Sequence, residues 1–395
     1  MQPSGQKAAY PLGYRDFHPQ VPLNYQLNRW LPTMDEREVL EIAPLIHSLT
    51  DWREQMTMLA KRAEAESRAL NASTYYRAAE FFMTNADPER RAYIAKYLSL
   101  FDEAVRDWPI ERLDVPFKNG FLPVLAMKAH GKARDTLVIH GGFDSYKEEF
   151  FMAAPAYAEA GFDVVVFDGP GQGQAFRQYG LTMAPEWEEP VSVVLDHLKI
   201  QSCTLMGFSL GGYLVSRAAA FEKRVKRAIA NDVLRDFFAI YMGRGGPDLG
   251  AQVEALLDAG DVERVNQIVA KLAASSANAK WSLDHGQEVS GTKDGYEYCR
   301  WLRQMRTKPF AEKIDQDFLL FGAQEDHIVP VAQFYSQATD LTKVRSLTAQ
   351  LFTRADQAHA HCHVGNTPLV VDFVVNWMNF QLRAEKTRAS LVKAG

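Results

Sequence analysis

The run Cys203-Thr-Leu-Met-Gly207-Phe-Ser209-Leu-Gly211-Gly212-Tyr-Leu-Val-Ser-Arg-Ala-Ala-Ala passes from an apolar, strand-length segment, through a serine set between glycines, into an alanine-rich helical segment. This context constrains the fold more than the pentapeptide does, because a bare Gly-x-Ser-x-Gly often arises by chance. A serine at so sharp a strand-to-helix turn is forced into a strained backbone conformation that exposes its hydroxyl, and the flanking glycines remove side chains that would clash there. The N–H of Leu210, at the helix start, then points at a developing oxyanion. The expectation is an α/β fold in which Ser209 acts as a nucleophile.

The surrounding pattern agrees with that expectation. From about Met34 to Trp108 the chain lacks glycine, is rich in Ala, Glu, Arg and Leu, and repeats apolar residues at helical spacing. After Pro109, short β-branched runs alternate with helical segments, the signature of a mostly parallel sheet flanked by helices. The expected strands are Leu122 to Met127, Thr136 to His140, Asp163 to Asp168, Cys203 to Gly207, Arg227 to Asn231, Asp317 to Gly322 and Gln350 to Thr353. Between Asn231 and Pro309 the alternation lapses, and helical stretches surround the glycine-rich Gly243-Arg-Gly-Gly-Pro-Asp-Leu-Gly250. The chain therefore divides into an N-terminal helical cap region (1–110), a first core segment (111–231), an inserted helical lid (232–310) and a second core segment (311–395). Leu369 to Arg383 reads as a closing helix.

The run Thr136-Leu-Val-Ile-His140-Gly141-Gly142-Phe143-Asp144-Ser145 is a strand that leaves into a glycine pair, where a second oxyanion donor belongs. The donating N–H is expected on Gly142 or Phe143. Phe167-Asp-Gly-Pro-Gly-Gln-Gly173 tempts toward a dinucleotide fingerprint, but Phe176 stands where the third glycine is required. No Gly-Lys-Ser or Gly-Lys-Thr occurs, so no nucleotide cofactor is implied.

An acid should follow the serine, and the segment from Phe318 to Pro330 supplies Asp326, with Glu325 as its neighbouring alternative. Its role would be to accept the Nδ1 proton of a histidine and stabilise the imidazolium. The histidine should come from the next loop, which offers His359-Ala-His361-Cys362-His363. Spacing alone does not choose among the three. Three histidines in five residues suggest a metal, yet no separate ligand group is spaced to complete a tetrahedral set, so no metal is expected.

A length of 395 residues and a net charge of −5, with Lys and Arg scattered among acids, exclude a basic stripe for nucleic acid or an anionic membrane. Met1 to Tyr14 lacks the apolar stretch of a secretory signal, and the three cysteines form no Cys-x-x-Cys pair. A cytoplasmic protein with reduced thiols is expected.

On these residues the chain resembles a branch of the α/β-hydrolase fold that includes the dihydroxypseudooxynicotine hydrolases, the polyketide-shortening hydrolases and the FrsA-like esterases. The resemblance runs from about Ala72 to the closing helix. It rests on Tyr76-Arg-Ala-Ala79, Gly141-Gly-Phe-Asp144-Ser145 with Lys147-Glu-Glu149, Phe167-Asp-Gly-Pro-Gly-Gln-Gly173, Gly207-Phe-Ser-Leu-Gly-Gly212 and His361-Cys362. It implies Ser209 as nucleophile, Asp326 as triad acid and His361 as base, because His361 directly precedes the branch's cysteine. It also implies a further catalytic or substrate-binding role for Asp144, which stands where the nicotine-pathway relative has a glutamate. A homodimer, and a helical region and inserted cap over the active site, belong to the same implication. The activity it implies is cleavage of a carbon-carbon bond beside a ketone in a β-diketone, acylphenol or polyketide-like small molecule. The alternative is a carboxylesterase or lactonase with the same triad, and a third reading is a noncatalytic binding protein on a hydrolase scaffold.

Overall fold

A computed structural model describes residues 10–394; of the leading stretch Met1 to Tyr14, Met1–Ala9 lies outside the described residues. The chain forms two compact units, one of Met1–Pro109 with Phe238–Gln304 and one of Ile110–Phe237 with Met305–Gly395. Among the described residues no helix is long and apolar enough to cross a membrane.

The first unit is helical. Ser48 caps the helix Leu49–Ala65 by accepting from the Asp51 N–H, and Ala69–Phe81 packs against it with nearly every residue buried. The N-terminal and inserted segments share one core. The Phe81 and Trp281 rings lie 4.7 Å apart, and Trp281 Nε1 donates to the Phe81 carbonyl at 3.1 Å. Buried Glu80 accepts from Arg77 at 2.8 Å and from Arg90 at 2.7 Å, so its charge is paired as the low-dielectric interior requires. Tyr75, Tyr76 and Tyr298 are core residues of this unit: Tyr75 bonds to Glu38 at 2.5 Å, Tyr76 to Glu64 at 3.0 Å, and Tyr298 stacks on Trp301 at 5.8 Å.

The second unit holds an eight-stranded sheet: β1 Ile110–Phe117, β2 Gly120–Met127, β3 Thr136–His140, β4 Asp163–Phe167, β5 Cys203–Phe208, β6 Val225–Asn231, β7 Asp317–Ala323 and β8 Ser346–Phe352. Their order is β1-β2-β4-β3-β5-β6-β7-β8. β1, β2 and β4 pair antiparallel, and β4, β3 and β5 to β8 pair parallel. The fold class is thus the α/β sheet that the alternating pattern implies. β7 is buried along its whole length, as a strand covered on both faces must be, and it reads Asp-Phe-Leu-Leu-Phe-Gly-Ala.

β1 is not among the expected strands. It reads Ile-Glu-Arg-Leu-Asp-Val-Pro-Phe and lies at a sheet edge, where its outward residues stay wet and its proline needs no ladder partner. β8 begins at Ser346, four residues earlier than expected, because as the other edge strand it alternates polar and apolar residues and is half-exposed rather than forming an apolar run. The helix Thr367–Ala394 closes the unit and extends well past Arg383.

The strand order also fixes where a site can form. The chain moves from β3 outward to β4 and then returns to the far side of β3 with β5. The connections after β3 and β5 therefore run to opposite sides, and the carboxyl ends of these two strands form the switch point at which sites in such sheets are built.

Candidate active site

Ser209 leaves β5 with φ of 58°, and the helix Gly211–Phe221 begins two residues later. A left-handed conformation is uncommon for a non-glycine residue and is held here by its surroundings. The Ser209 N–H donates to the Asn231 carbonyl at 2.9 Å, and the Gly212 N–H donates to the Ser209 carbonyl at 2.8 Å. The turn is tight enough that a Cβ on Gly207 would come within 2.2 Å of the Gly211 carbonyl oxygen.

The glycine loop after β3 lies against this turn. A Cβ on Gly142 would meet the Phe208 carbonyl oxygen at 2.5 Å and the Leu210 nitrogen at 2.8 Å, so only glycine lets the two backbones approach. Within the loop the Gly142 N–H donates to Ser145 Oγ at 3.3 Å. Gln172 Nε2 donates to the carbonyls of Gly141 at 2.8 Å and Gly142 at 3.0 Å. A trans peptide points its N–H opposite its C=O. Holding the Gly142 carbonyl toward Gln172 therefore turns the Phe143 N–H to the other side. Asp144, the next residue, is half-buried.

On the opposite side, His361 Nδ1 lies 2.6 Å from Asp326 Oδ2, and His361 Nε2 lies 2.8 Å from Ser209 Oγ. With the Nδ1–H donated to the carboxylate, Nε2 is left to accept the serine hydroxyl. Asp326 is itself fixed, since its Oδ1 accepts the N–H groups of Ile328 at 2.7 Å and Val329 at 2.9 Å. Burial opposes the charge on His361, but the Asp326 carboxylate outweighs it and holds the imidazolium well above its ordinary range. Burial likewise opposes ionisation of Asp326, and the His361 charge and hydrogen bond overcome it and hold the carboxyl well below its usual range.

The structure separates the residues that spacing left together. His363 turns into the interior, its ring 4.6 Å from Phe352 and its Nδ1 3.3 Å from the Ala358 carbonyl, and burial pushes its pKa down to about 3. Glu325 is exposed and forms an ion pair with Arg354 at 2.5 Å. His140 packs between Phe167 and Trp187. Ligand-type atoms of Asp232, Asp326 and His361 lie within 4.8 Å of one another, while His359 and His363 stand outside that group.

Two residues of the site escaped the sequence reading. Asp232 directly follows β6, and its carboxyl reaches to 3.9 Å from His361 Nδ1. A polar residue at the carboxyl end of a parallel strand is a signal that could have found it. Gln172 sits in the Phe-Asp-Gly-Pro-Gly-Gln-Gly run, whose other anchor, Asp168, accepts the Lys147 N–H at 2.8 Å and the Gln174 N–H at 2.9 Å. Lys147 adds a buried ion pair to Glu148 at 2.6 Å.

The family pattern described as alpha/beta hydrolase fold matches residues 136–361, from the start of β3 to His361. The chain belongs to the α/β-hydrolase fold family. This α/β-fold hydrolase is 29% identical over 293 residues to the hydrolase acrC of Aspergillus aculeatus, a match covering 66% of this chain and 68% of that protein. It is also 29% identical over 301 residues to the 20-hydroxy-prefusarin hydrolase FUS2 of Gibberella moniliformis, covering 69% and 70%. In fold it is similar to wild-type AbyA5, with a TM-score of 0.65 at 19% identity over 94% of each chain. It is similar also to the 2,6-dihydroxy-pseudo-oxynicotine hydrolase, with a TM-score of 0.61 at 18% identity over 88% of this chain and 95% of that one. These comparisons return the branch that the motifs resemble.

Proposed function

We propose that this α/β-fold hydrolase is a serine hydrolase with Ser209 as nucleophile, His361 as base and Asp326 as acid, and that it cleaves a carbon-carbon bond beside a ketone in a small molecule. The observation that carries the triad is the unbroken line of hydrogen bonds from Ser209 Oγ through His361 to Asp326, at 2.8 and 2.6 Å, mounted on a serine turn of positive φ. Similarity to a 20-hydroxy-prefusarin hydrolase supports a small-molecule substrate, and the motif resemblance supports the ketone.

In this reading Ser209 Oγ attacks the carbonyl carbon while its proton passes to His361 Nε2. The oxyanion is held by the N–H groups of Leu210 and of the loop Gly142–Phe143, with Phe143 the better donor because the Gly142 N–H is directed at Ser145. The adduct collapses, the carbon-carbon bond breaks, and its electron pair leaves as an enolate that takes the proton from His361. Water then attacks the acyl-enzyme with His361 as base, releasing the acid and restoring Ser209. The motif resemblance supports a substrate-contacting role for Asp144, which is half-buried beside Phe143.

The test is covalent labelling of Ser209 by a fluorophosphonate, followed by a product screen of β-diketones, acylphenols and nitrophenyl esters by mass spectrometry. Labelling that vanishes in Ser209→Ala, with acid and ketone products from the diketones, is expected. Turnover of the esters beside inert diketones would replace the ketone by an ester. Because His361 works as a base only when neutral and its imidazolium is stabilised, kcat/KM should climb with pH through a limb above the ordinary histidine value of about 6.5. A limb below that value would contradict the role of Asp326.

A further inference from the structure

Asp232 is the feature of the site that the triad leaves unused. β6 and β7 are neighbours in parallel register, so the residues that follow them, Asp232 and the segment bearing Asp326, emerge side by side under the turn that carries His361. Both carboxyl side chains are 1% exposed. Asp326 Oδ2 lies 2.6 Å and Asp232 Oδ2 3.9 Å from the same ring nitrogen, His361 Nδ1. The Asp232 carboxyl is also aimed. Its Oδ1 accepts the Val233 N–H at 2.7 Å, and its Oδ2 accepts the N–H of Cys362, the residue next to His361, at 3.4 Å.

We propose that Asp232 is a second positioning acid for His361, standing beside Asp326 at Nδ1 and able to replace it there. The proposal rests on the triad reading above.

Two carboxylates this close, away from water, do not both ionise readily. Burial and then the charge of Asp326 hold Asp232 well above the usual carboxylate range, so it stands as the neutral acid and donates to Asp326. The titratable groups facing it are Asp326 on the loop after β7 and His361 with Cys362 on the turn that carries the base. When Asp326 becomes an amide, the neighbouring charge that kept Asp232 neutral is gone. Asp232 then ionises, and a shift of about 1 Å brings its Oδ2 into hydrogen-bond range of Nδ1. A site with one acid has no such reserve, and its aspartate-to-asparagine change costs about 10⁴-fold.

The experiment measures the rate of fluorophosphonate labelling of Ser209 in the full chain for wild type, Asp232→Asn, Asp326→Asn and the double variant. Asp326→Asn is expected to slow labelling by about 10²-fold, Asp232→Asn by less than about tenfold, and the pair together by about 10⁴-fold. A second readout is the low-field proton resonance of the His361 Nδ1–H in protein carrying ¹⁵N-histidine. It should persist in Asp326→Asn and vanish in the double variant, which a merely structural Asp232 would not produce. If Asp326→Asn alone is as slow as the double variant, or loses the resonance, the proposal is overturned while the triad stands. Equal loss in Asp232→Asn alone also overturns it, because Asp232 would then be no reserve. Should the double variant not fold by circular dichroism, Asp326→Asn alone decides: retained resonance with a loss near 10²-fold supports the proposal, and a lost resonance overturns it. Labelling that persists in Ser209→Ala overturns the triad reading, and the proposal falls with it.

Discussion

The two halves of the candidate site are held by different forces. On the serine side the fixing contacts are made by backbone: a positive φ at Ser209, the Asn231 carbonyl on its N–H, and glycines at 142 and 207 whose missing side chains let main chains meet. On the histidine side they are made by ionisable side chains, with two buried carboxyls converging on one ring nitrogen and backbone N–H groups aiming both of them. Steric fixing has no intermediate state, because a methyl group either fits or displaces the chain. Electrostatic fixing is graded, since a second group can supply what the first loses. The serine side should therefore fail abruptly at any added atom, and the histidine side should fail abruptly only where proton transfer itself is lost.

The strongest way to break this contrast is at His361. His361→Ala should lower kcat by about 10⁶-fold, the scale seen when a unit of this kind loses its base. His359→Ala should keep kcat within a few-fold, and His363→Ala should cost about 1 to 3 kcal/mol of stability from lost packing against Phe352 and Phe321 with activity retained below the melting transition. Measured kcat and thermal melts of the three variants check this. Full activity in His361→Ala would show that the base is another histidine.

The next effect tests the steric half. Gly142→Ala adds one carbon that would lie 2.5 Å from the Phe208 carbonyl and 2.8 Å from the Leu210 nitrogen, both backbone atoms that cannot swing aside. The glycine loop must retreat from the serine turn, and the expected loss is about 10² to 10³-fold in kcat, the worth of one oxyanion donor. Wild-type kcat in this variant would mean that the loop is not where the oxyanion is held.

The same contrast explains what the sequence made legible. The serine side is written in contiguous residues: a strand, a turn and a helix follow one another from Cys203 to Ala220, and glycine is the only residue type that such contacts admit. The sheet was readable for the same reason in its buried strands, whereas the edge strand Ile110–Phe117, half wet and proline-bearing, carries no apolar run to announce it. The histidine side is assembled from segments that β6, β7 and β8 bring together. Spacing could nominate three histidines and two acids, and the resemblance implied His361 and Asp326; what the fold adds is direction, with Glu325 turned to Arg354 and His363 turned to the core. Asp232 carried only the general signal of a polar residue at a strand's carboxyl end, because an acid there gains its partner from what the neighbouring strand places beside it. Gln172 was hidden inside a run that has the look of a phosphate-binding loop, when its use is to grip a loop from a different strand.

Gln172 gives the smallest expected effect and the sharpest test, because it is a side chain that acts on backbone. Its Nε2 holds the carbonyls of Gly141 and Gly142, and its Oε1 accepts the Gly169 N–H at 3.0 Å, so it ties the glycine loop to the loop after β4. Gln172→Leu keeps the volume and removes both donors, leaving two buried carbonyls without them. The Gly142–Phe143 peptide is then free to rotate, and the Phe143 N–H loses its aim. A loss of about tenfold in kcat with KM little changed is expected, less than removal of a donor because the N–H is still present. Gln172→Glu separates orientation from packing. Ionised, it sets a carboxylate against two carbonyl oxygens and should be no better than leucine; protonated, it recovers one donor, so its kcat relative to wild type should rise as the pH is lowered. If Gln172→Leu and Gln172→Glu share one loss at every pH, the loop is held by shape alone, and the backbone side of the site needs no side chain to aim it.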